Sequence, residues 1–418
     1  MRVVGDPAPG SRRRWAMYVA GSLNFLLSMF YRVSVAVISP VLVRDLDLSS
    51  SQLSDLTASF YYAFALSQLP LGLAIDRLGP RITMSFLAVA AVGGALFFAM
   101  GTSPAELIAA RALLGIGMSG NMMILFTLLA AWFPVNRFAF LGGVAIAVGS
   151  LGNLLAATPL ALLSLTLGWR ESFLIFGGIN AAVVGTFIVV MQDSPDGRAA
   201  TYKKPESLIR GLGRLAKMFS YWSISLSNFI RYGYFAALQS LWLGPFLVFG
   251  MKMSELEAGN ALLSVAIGYM VGLPFWGSVS DRVLRSRKRV VLPTMIAFCL
   301  LTFSIVYWTL ATPPWLCFLT LFCIGFTSSP GQIFYAHIKE LVPPSMTARA
   351  LTSVNLFSIL GVGAMIHILN LLSGRDASTM TGPESFHFLW YAGVAGLALG
   401  CVVYSFVPDS RVLASNDG

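Results

Sequence analysis

Residues 72–81 read Gly72-Leu73-Ala74-Ile75-Asp76-Arg77-Leu78-Gly79-Pro80-Arg81, and residues 277–282 read Gly277-Ser278-Val279-Ser280-Asp281-Arg282. The pattern Gly-x-x-x-Asp-Arg thus occurs twice, 205 residues apart, each time as a polar island between long apolar stretches. At the same offset, without gaps, Pro40 falls on Pro245 and Ser49 on Ser254. Between the two copies lies the one long hydrophilic stretch, residues 193–217, with Lys203-Lys204-Pro205 in its middle. The chain reads as two related halves joined by a linker.

The apolar stretches decide what the halves are made of. Of 418 residues 56% are hydrophobic and only 11% charged, and the mean hydropathy is +0.76. A soluble globular protein is about 25% charged, so most of this surface faces lipid. A helix needs roughly 20 apolar residues to cross a hydrocarbon core of about 30 Å. Runs without charge recur at 56–75, 82–105, 112–136, 138–169, 172–192, 232–251, 258–280, 350–374 and 385–408. The run 290–338 holds two spans, divided at Thr312-Pro313-Pro314-Trp315, a turn signal. Stretches 15–43 and 220–248, each interrupted by one arginine, give the last two. The expected fold is an all-α membrane protein of twelve transmembrane helices. It divides into an N-terminal segment (1–14), a six-helix bundle (15–192), a linker (193–219), a second six-helix bundle (220–408) and a tail (409–418). Open sheet edges are excluded from lipid, and no period-2 pattern suggests a barrel.

The formal charge of +10 follows from topology and not from nucleic-acid binding. Twelve spans alternate sides, which places 21 of the 28 Lys and Arg on the side of both termini and the linker. Only Arg44, Arg170, Lys252 and Arg375 fall on the other side. By the positive-inside rule both termini are cytoplasmic. The four cysteines fall within spans and read as small packing residues, not as disulfides or a metal site.

With that framework the polar islands carry a resemblance. Gly72 to Arg81, between spans 2 and 3, is similar to the signature loop of the major facilitator superfamily, and Gly277 to Lys288 repeats it between spans 8 and 9. Arg111-Ala112-Leu113-Leu114-Gly115-Ile116-Gly117 resembles the family's helix-4 motif. Phe133-Pro134 with Arg137, and Gly168-Trp169-Arg170, are also typical. The likeness runs from about residue 15 to 408. It implies two pseudo-symmetric bundles around a central cavity lined by helices 1, 4, 7 and 10, and transport by alternating access. It also implies a gating role for Gly72, Asp76, Arg77, Arg81, Arg111, Gly277, Asp281 and Arg282. Locally, Gly72 lets a neighbouring helix approach, and Asp76 suits a helix N-terminus.

Three arginines lie inside spans: Arg32 in span 1, Arg111 in span 4 and Arg231 in span 7. A cation within a membrane span is read by default as functional, at about 2.5–3.5 kcal/mol on insertion scales. No Asp or Glu lies deep in any span. The counter-charge is therefore assigned to the substrate, an organic anion gripped by guanidinium groups, with Arg32 and Arg231 as the main contacts. The competing role for each is a hydrogen bond to backbone carbonyls, and for Arg111 a gating or structural role ranks above substrate contact. Ser328, Gln332, Tyr335 and Lys339 follow i, i+4, i+7, i+11, one helical face. Ser328, Gln332 and Tyr335, with Tyr31, Asn121 and Gln239, are further binding candidates; packing or interhelical hydrogen bonding is their alternative. Tyr31-Arg32 with Pro40, and Arg231-Tyr232-Gly233, resemble helices 1 and 7 of the superfamily's organophosphate antiporters, but Arg231 stands six residues from the matching position, Ala237.

The resulting expectation is a secondary active transporter of a small organic anion in a bacterial inner membrane, accompanied by protons or exchanged for a counter-anion. Multidrug efflux and a transporter-like sensor are the alternatives. No metal cluster, nucleophile–base pair or phosphate loop is visible, so enzyme chemistry and cofactors are not expected. Reporter fusions test the topology: those after Lys204 and Arg287 should report cytoplasm, and those after Ser103 and Thr379 the outside. An external signal at Lys204 would overturn the two-halves reading.

Overall fold

The computed structural model describes residues 12–193, 213–343, 346–374 and 380–410. Its regular elements are helices. The first six are α1 (Arg12–Leu46), α2 (Ser50–Leu78), α3 (Pro80–Met100), α4 (Pro104–Met118, resuming at Asn121–Trp132), α5 (Val135–Leu155, then Thr158–Leu167) and α6 (Trp169–Val190). The second six begin with α7 (Phe219–Ala237), which widens into π-helical turns at Leu238–Trp242 and Phe246–Gly250. They continue with α8 (Glu255–Ser278), α9 (Lys288–Ser304), α10 (Pro314–Ser328, resuming at Gly331–Leu341), α11 (Thr347–Ser373) and α12 (His387–Ser405). Ten of these spans are long and apolar enough to cross a bilayer, eleven when the two parts of α5, bent by 40°, count as one. The 29-residue α2 completes the twelve. Side chains such as Val89, Phe86 and Leu371 are exposed at 75%, 69% and 79%, which suits lipid and not water.

Contacts divide the chain into two compact units, one of residues 1–41 and 55–204, the other of 42–54 and 205–418. Within each unit the same pairs pack. In the first, α3 runs along α6, and in the second α9 runs along α12 and α7 along α11. In the first, Gly115 of α4 faces the Phe60 carbonyl of α2 and Gly152 of α5 faces the Leu26 carbonyl of α1, both too close for a Cβ. In the second, Gly325 and Gly268 play this part reciprocally between α10 and α8. Without a hydrophobic drive between helices in lipid, such close backbone approach is what holds them.

The helix ends repeat as well. Ser49 and Gln52 exchange side-chain and backbone hydrogen bonds at the start of α2 (2.9 and 3.2 Å). Ser254 and Glu257 do the same at the start of α8 (2.8 and 3.2 Å). Both are capping boxes, and they stand 205 residues apart. A second repeated device closes each unit. Asp193, just after α6, accepts from the Arg81 amide at the start of α3 (2.8 Å). Asp409, just after α12, accepts from the Lys288 amide at the start of α9 (3.2 Å) and from Ser286 Oγ (2.7 Å). Each carboxylate meets the positive end of a helix and satisfies an orphan amide.

Losing such a cap costs about 1 kcal/mol. Asp193→Ala and Asp409→Ala should each lower the thermal unfolding midpoint in detergent, with additive effects in the double variant because the sites lie in separate units. Unchanged midpoints in both would mean that water replaces the carboxylates without loss.

Candidate functional site

The deepest polar feature of the first unit is built on two successive carbonyls of α1. The Tyr31 carbonyl accepts from Arg111 Nη1 of α4 at 2.7 Å, and the Arg32 carbonyl accepts from the Tyr61 hydroxyl of α2 at 3.1 Å. Phe60 and Phe64 stand one turn apart on α2, their rings stacked at 6.1 Å. Arg111 lies over Phe60 at 4.6 Å and Arg32 over Phe64 at 4.9 Å. An aromatic face attracts a guanidinium by about 0.5–2 kcal/mol, more when water is excluded. Arg111 is fully buried while Arg32 keeps 9% of its surface open. Nε and Nη2 of Arg111 make no hydrogen bond, nor does the buried Tyr31 hydroxyl.

One helical turn further along α1, the break in α4 at Ser119–Gly120 releases carbonyls that helix geometry no longer satisfies. Gln68 donates to the Ser119 carbonyl (2.8 Å) and Ser28 to that of Met118 (3.3 Å). Asn121 is taken up here: its amide donates to the Asn24 carbonyl (3.2 Å) and accepts from Asn24 Nδ2 (3.3 Å).

In the second unit Arg231 does the corresponding work. Pro330 has no amide hydrogen and α10 stops at Ser328. Arg231 Nη1 donates to the Ser328 carbonyl and Nη2 to Asn228 Oδ1 (3.0 Å), with the guanidinium over Phe334 at 5.2 Å. Asn228 in turn donates to Ser358 Oγ (2.6 Å), which Tyr335 also reaches (3.4 Å) while donating to Asn355 Oδ1 (3.1 Å). Gly331 leaves the space that the guanidinium occupies, since a Cβ there would land on Nη2.

The structure thus brings Tyr31, Arg32 and Arg111 into one cluster, and Arg231, Ser328 and Tyr335 into another. Gln239 stands apart in the first π-helical turn, beside a narrow apolar cavity with Phe235, Leu243 and Trp390. Gln332 is exposed. Among the loop residues, Arg77, Arg81 and Arg282 are exposed, and the side chain of Asp76 lies outside the described residues. Among the described residues nothing stands within 4 Å of a Cβ built on Gly72 or Gly277. Asp281 has a partner that the sequence reading missed: Arg287, which also pairs with Glu340 at 2.8 Å and donates to Ser280 Oγ. Burial alone would lower the Arg287 pKa, but its bonds to Glu340 and Asp281 outweigh this and raise it. The aromatic seats Phe60, Phe64 and Phe334 were also missed, because a phenylalanine in an apolar span carries no distinguishing signal.

Two repeated six-helix units, broken fourth and tenth helices and buried arginines on the first and fourth helices of one unit describe a membrane transporter. The sequence profile of the Major Facilitator Superfamily matches residues 21–362, and the chain belongs to that superfamily. It is similar to a hexuronate transporter of Bacillus subtilis, 24% identical, with 94% of this chain and 92% of that one aligned. It is 25% identical to a hexuronate transporter of Escherichia coli K12 over 66% of this chain and 69% of that one. A probable sulfoacetate transporter of Cupriavidus necator is 24% identical over 63% of this chain and 64% of that relative's length. Among solved structures, a bacterial homologue of the human lysosomal transporter Spinster superposes with a TM-score of 0.73 at 18% identity, covering 95% of this chain and 97% of that one. A D-xylose–proton symporter gives 0.73 at 17%, covering 94% and 98%.

The contact between Gly331 and Arg231 is testable as a pair. Gly331→Ala should lower the unfolding midpoint by an amount corresponding to about 1–3 kcal/mol, the usual penalty of overpacking. In an Arg231→Gln background the same change should carry little further loss, a coupling that a double-mutant cycle measures. Equal effects in both backgrounds would show that the glycine serves something other than the guanidinium.

Proposed function

We propose that this protein carries a small organic anion across a bacterial inner membrane, with Arg32 contacting the anionic group. The observation that carries the reading is the graded burial of the three arginines: Arg111 is 0% and Arg231 2% exposed, and Arg32 9%. Arg231 is spent on the Ser328 carbonyl and the Asn228 amide. Arg111 holds the Tyr31 carbonyl and has no open surface. Arg32, seated on Phe64 with its backbone fixed by Tyr61, keeps open surface within the span. A guanidinium seated on an aromatic face is preorganised for a carboxylate or sulfonate. Hexuronate and sulfoacetate, the substrates named for the relatives, both present such a group. In this reading Arg111 and Tyr61 position Arg32, Arg231 fastens α10, and Tyr31 and Gln332 are secondary contacts. The loop residues Gly72, Asp76, Arg77, Arg81, Gly277, Asp281 and Arg282 serve the cytoplasmic gate. Both termini are cytoplasmic, supported by the uneven distribution of Lys and Arg.

Binding of D-glucuronate and sulfoacetate to purified protein, followed by thermal shift or calorimetry, tests the assignment. Arg32→Gln should weaken binding by roughly 30-fold to several thousand-fold, the effect of losing one partner of a desolvated charged pair. Arg32→Lys should be impaired less, since it keeps the charge and loses the planar fork. An Arg32→Gln protein that stays monodisperse and binds either anion with unchanged affinity would remove Arg32 from the site.

A further inference from the structure

The first turn of α1 reads Arg12-Arg13-Arg14-Trp15, and that of α5 carries Arg137. Neither turn holds an acidic residue. The start of a helix is the positive end of its dipole and favours an anion, so guanidinium groups there meet a field of their own sign. The fold does not ask for them. At the 205-residue offset the places of Arg12, Arg13 and Arg14 are taken by Lys217, Met218 and Phe219. Arg13 is partly answered, donating from Nε to the Val190 carbonyl at the end of α6 (2.9 Å).

The two helix starts stand side by side. The Tyr18 hydroxyl of α1 donates to the Leu141 carbonyl of α5 (2.8 Å). As first and fifth spans these helices run in the same direction, so Arg14 and Arg137, each four residues earlier, come level with one another. Arg14 lies over the Phe133 ring at 5.6 Å, and Trp15 packs edge-on against the same ring at 5.3 Å. Arg12 and Arg137 are exposed and Arg14 is partly buried. A narrow cleft beside Arg14 is walled by Tyr18, Leu128, Trp132 and Phe133. Its tryptophan is engaged, donating to the Gln192 carbonyl (3.0 Å). Trp15, Val19 and Leu23 follow at intervals of four along α1 and are all exposed, one helical face. In a bilayer such a stripe meets acyl chains, and a tryptophan at its end sits at the headgroup level.

We propose that the converging starts of α1 and α5 bind an anionic phospholipid. Its phosphate is held by Arg12, Arg14 and Arg137 between two positive helix ends, and one acyl chain lies along Trp15, Val19 and Leu23. On the reading that both termini are cytoplasmic, the lipid belongs to the inner leaflet, where basic pockets between helices take anionic headgroups. A soluble phosphate shares the headgroup chemistry but leaves the apolar stripe unused. The proposal is independent of the organic-anion reading.

Native mass spectrometry of the full-length protein, delipidated in detergent, counts the lipids that stay bound. Dioctanoyl phosphatidylglycerol is titrated against dioctanoyl phosphatidylcholine, which has the same chains and no net charge. Phosphatidylglycerol should bind first. Arg14→Gln with Arg137→Gln should weaken that first binding about 25-fold, roughly fivefold for each arginine lost. Arg285→Gln with Arg289→Gln removes equal charge from exposed positions of the second unit and should leave it unchanged. Should the first pair prevent folding, Arg12→Gln with Arg137→Gln alters only exposed side chains and takes its place. Equal binding of the two lipids, or equal losses in both double variants, would reduce the effect to diffuse attraction and overturn the site. Displacement of phosphatidylglycerol by soluble glycerol phosphate would overturn the lipid assignment.

Discussion

A backbone carbonyl inside a membrane bundle has no water to turn to, so every break in a helix must be answered by a side chain. This requirement organises both units. The interruptions in α4 and α10 free the carbonyls of Met118, Ser119 and Ser328, and Ser28, Gln68 and Arg231 arrive to meet them. In each unit polar residues of the first helix meet the broken fourth: Asn24 and Ser28 in one, Arg231 in the other. The breaks are held as defined corners because their polar groups are satisfied.

The same chemistry separates the three buried arginines, which look alike in the sequence. Arg231 serves a freed carbonyl at a break, Arg111 serves a carbonyl inside an unbroken helix, and Arg32, the least buried of the three, offers its own carbonyl to Tyr61. Cation–π seating on Phe334, Phe60 and Phe64 supports the three guanidinium groups among apolar helices.

The twelve spans and the internal repeat were legible because bilayer thickness imposes a length on apolar runs, and because Ser49 and Ser254 mark matching helix starts. The list of polar side chains inside the bundles was legible too, since polarity in a span is conspicuous. Their partners were not. Nothing in the residues around Arg231 says that it meets the Ser328 carbonyl, 97 residues away. The stripe Ser328–Gln332–Tyr335 assumed an unbroken helix, whereas the helix breaks at Ser329–Pro330, Ser328 and Tyr335 are linked through Arg231, Asn228 and Ser358, and Gln332 is exposed. Asp281 was read only as part of the repeated loop, and its pairing with Arg287, six residues on, was not foreseen. Such pairings depend on where helices cross, and spacing along the chain does not encode that.

The aspartates that close the units bear on how the protein is made. Asp193 caps an amide 112 residues earlier in the chain, and Asp409 one 121 residues earlier. At about 5–20 residues per second, the ribosome delivers each cap about 6–24 s after the helix that needs it. Until then the amide ends of α3 and α9 are left to water. The first unit can fasten itself while residues 213 onward are still unsynthesised, so the nascent chain enters the second half of its insertion with a finished bundle already in the membrane.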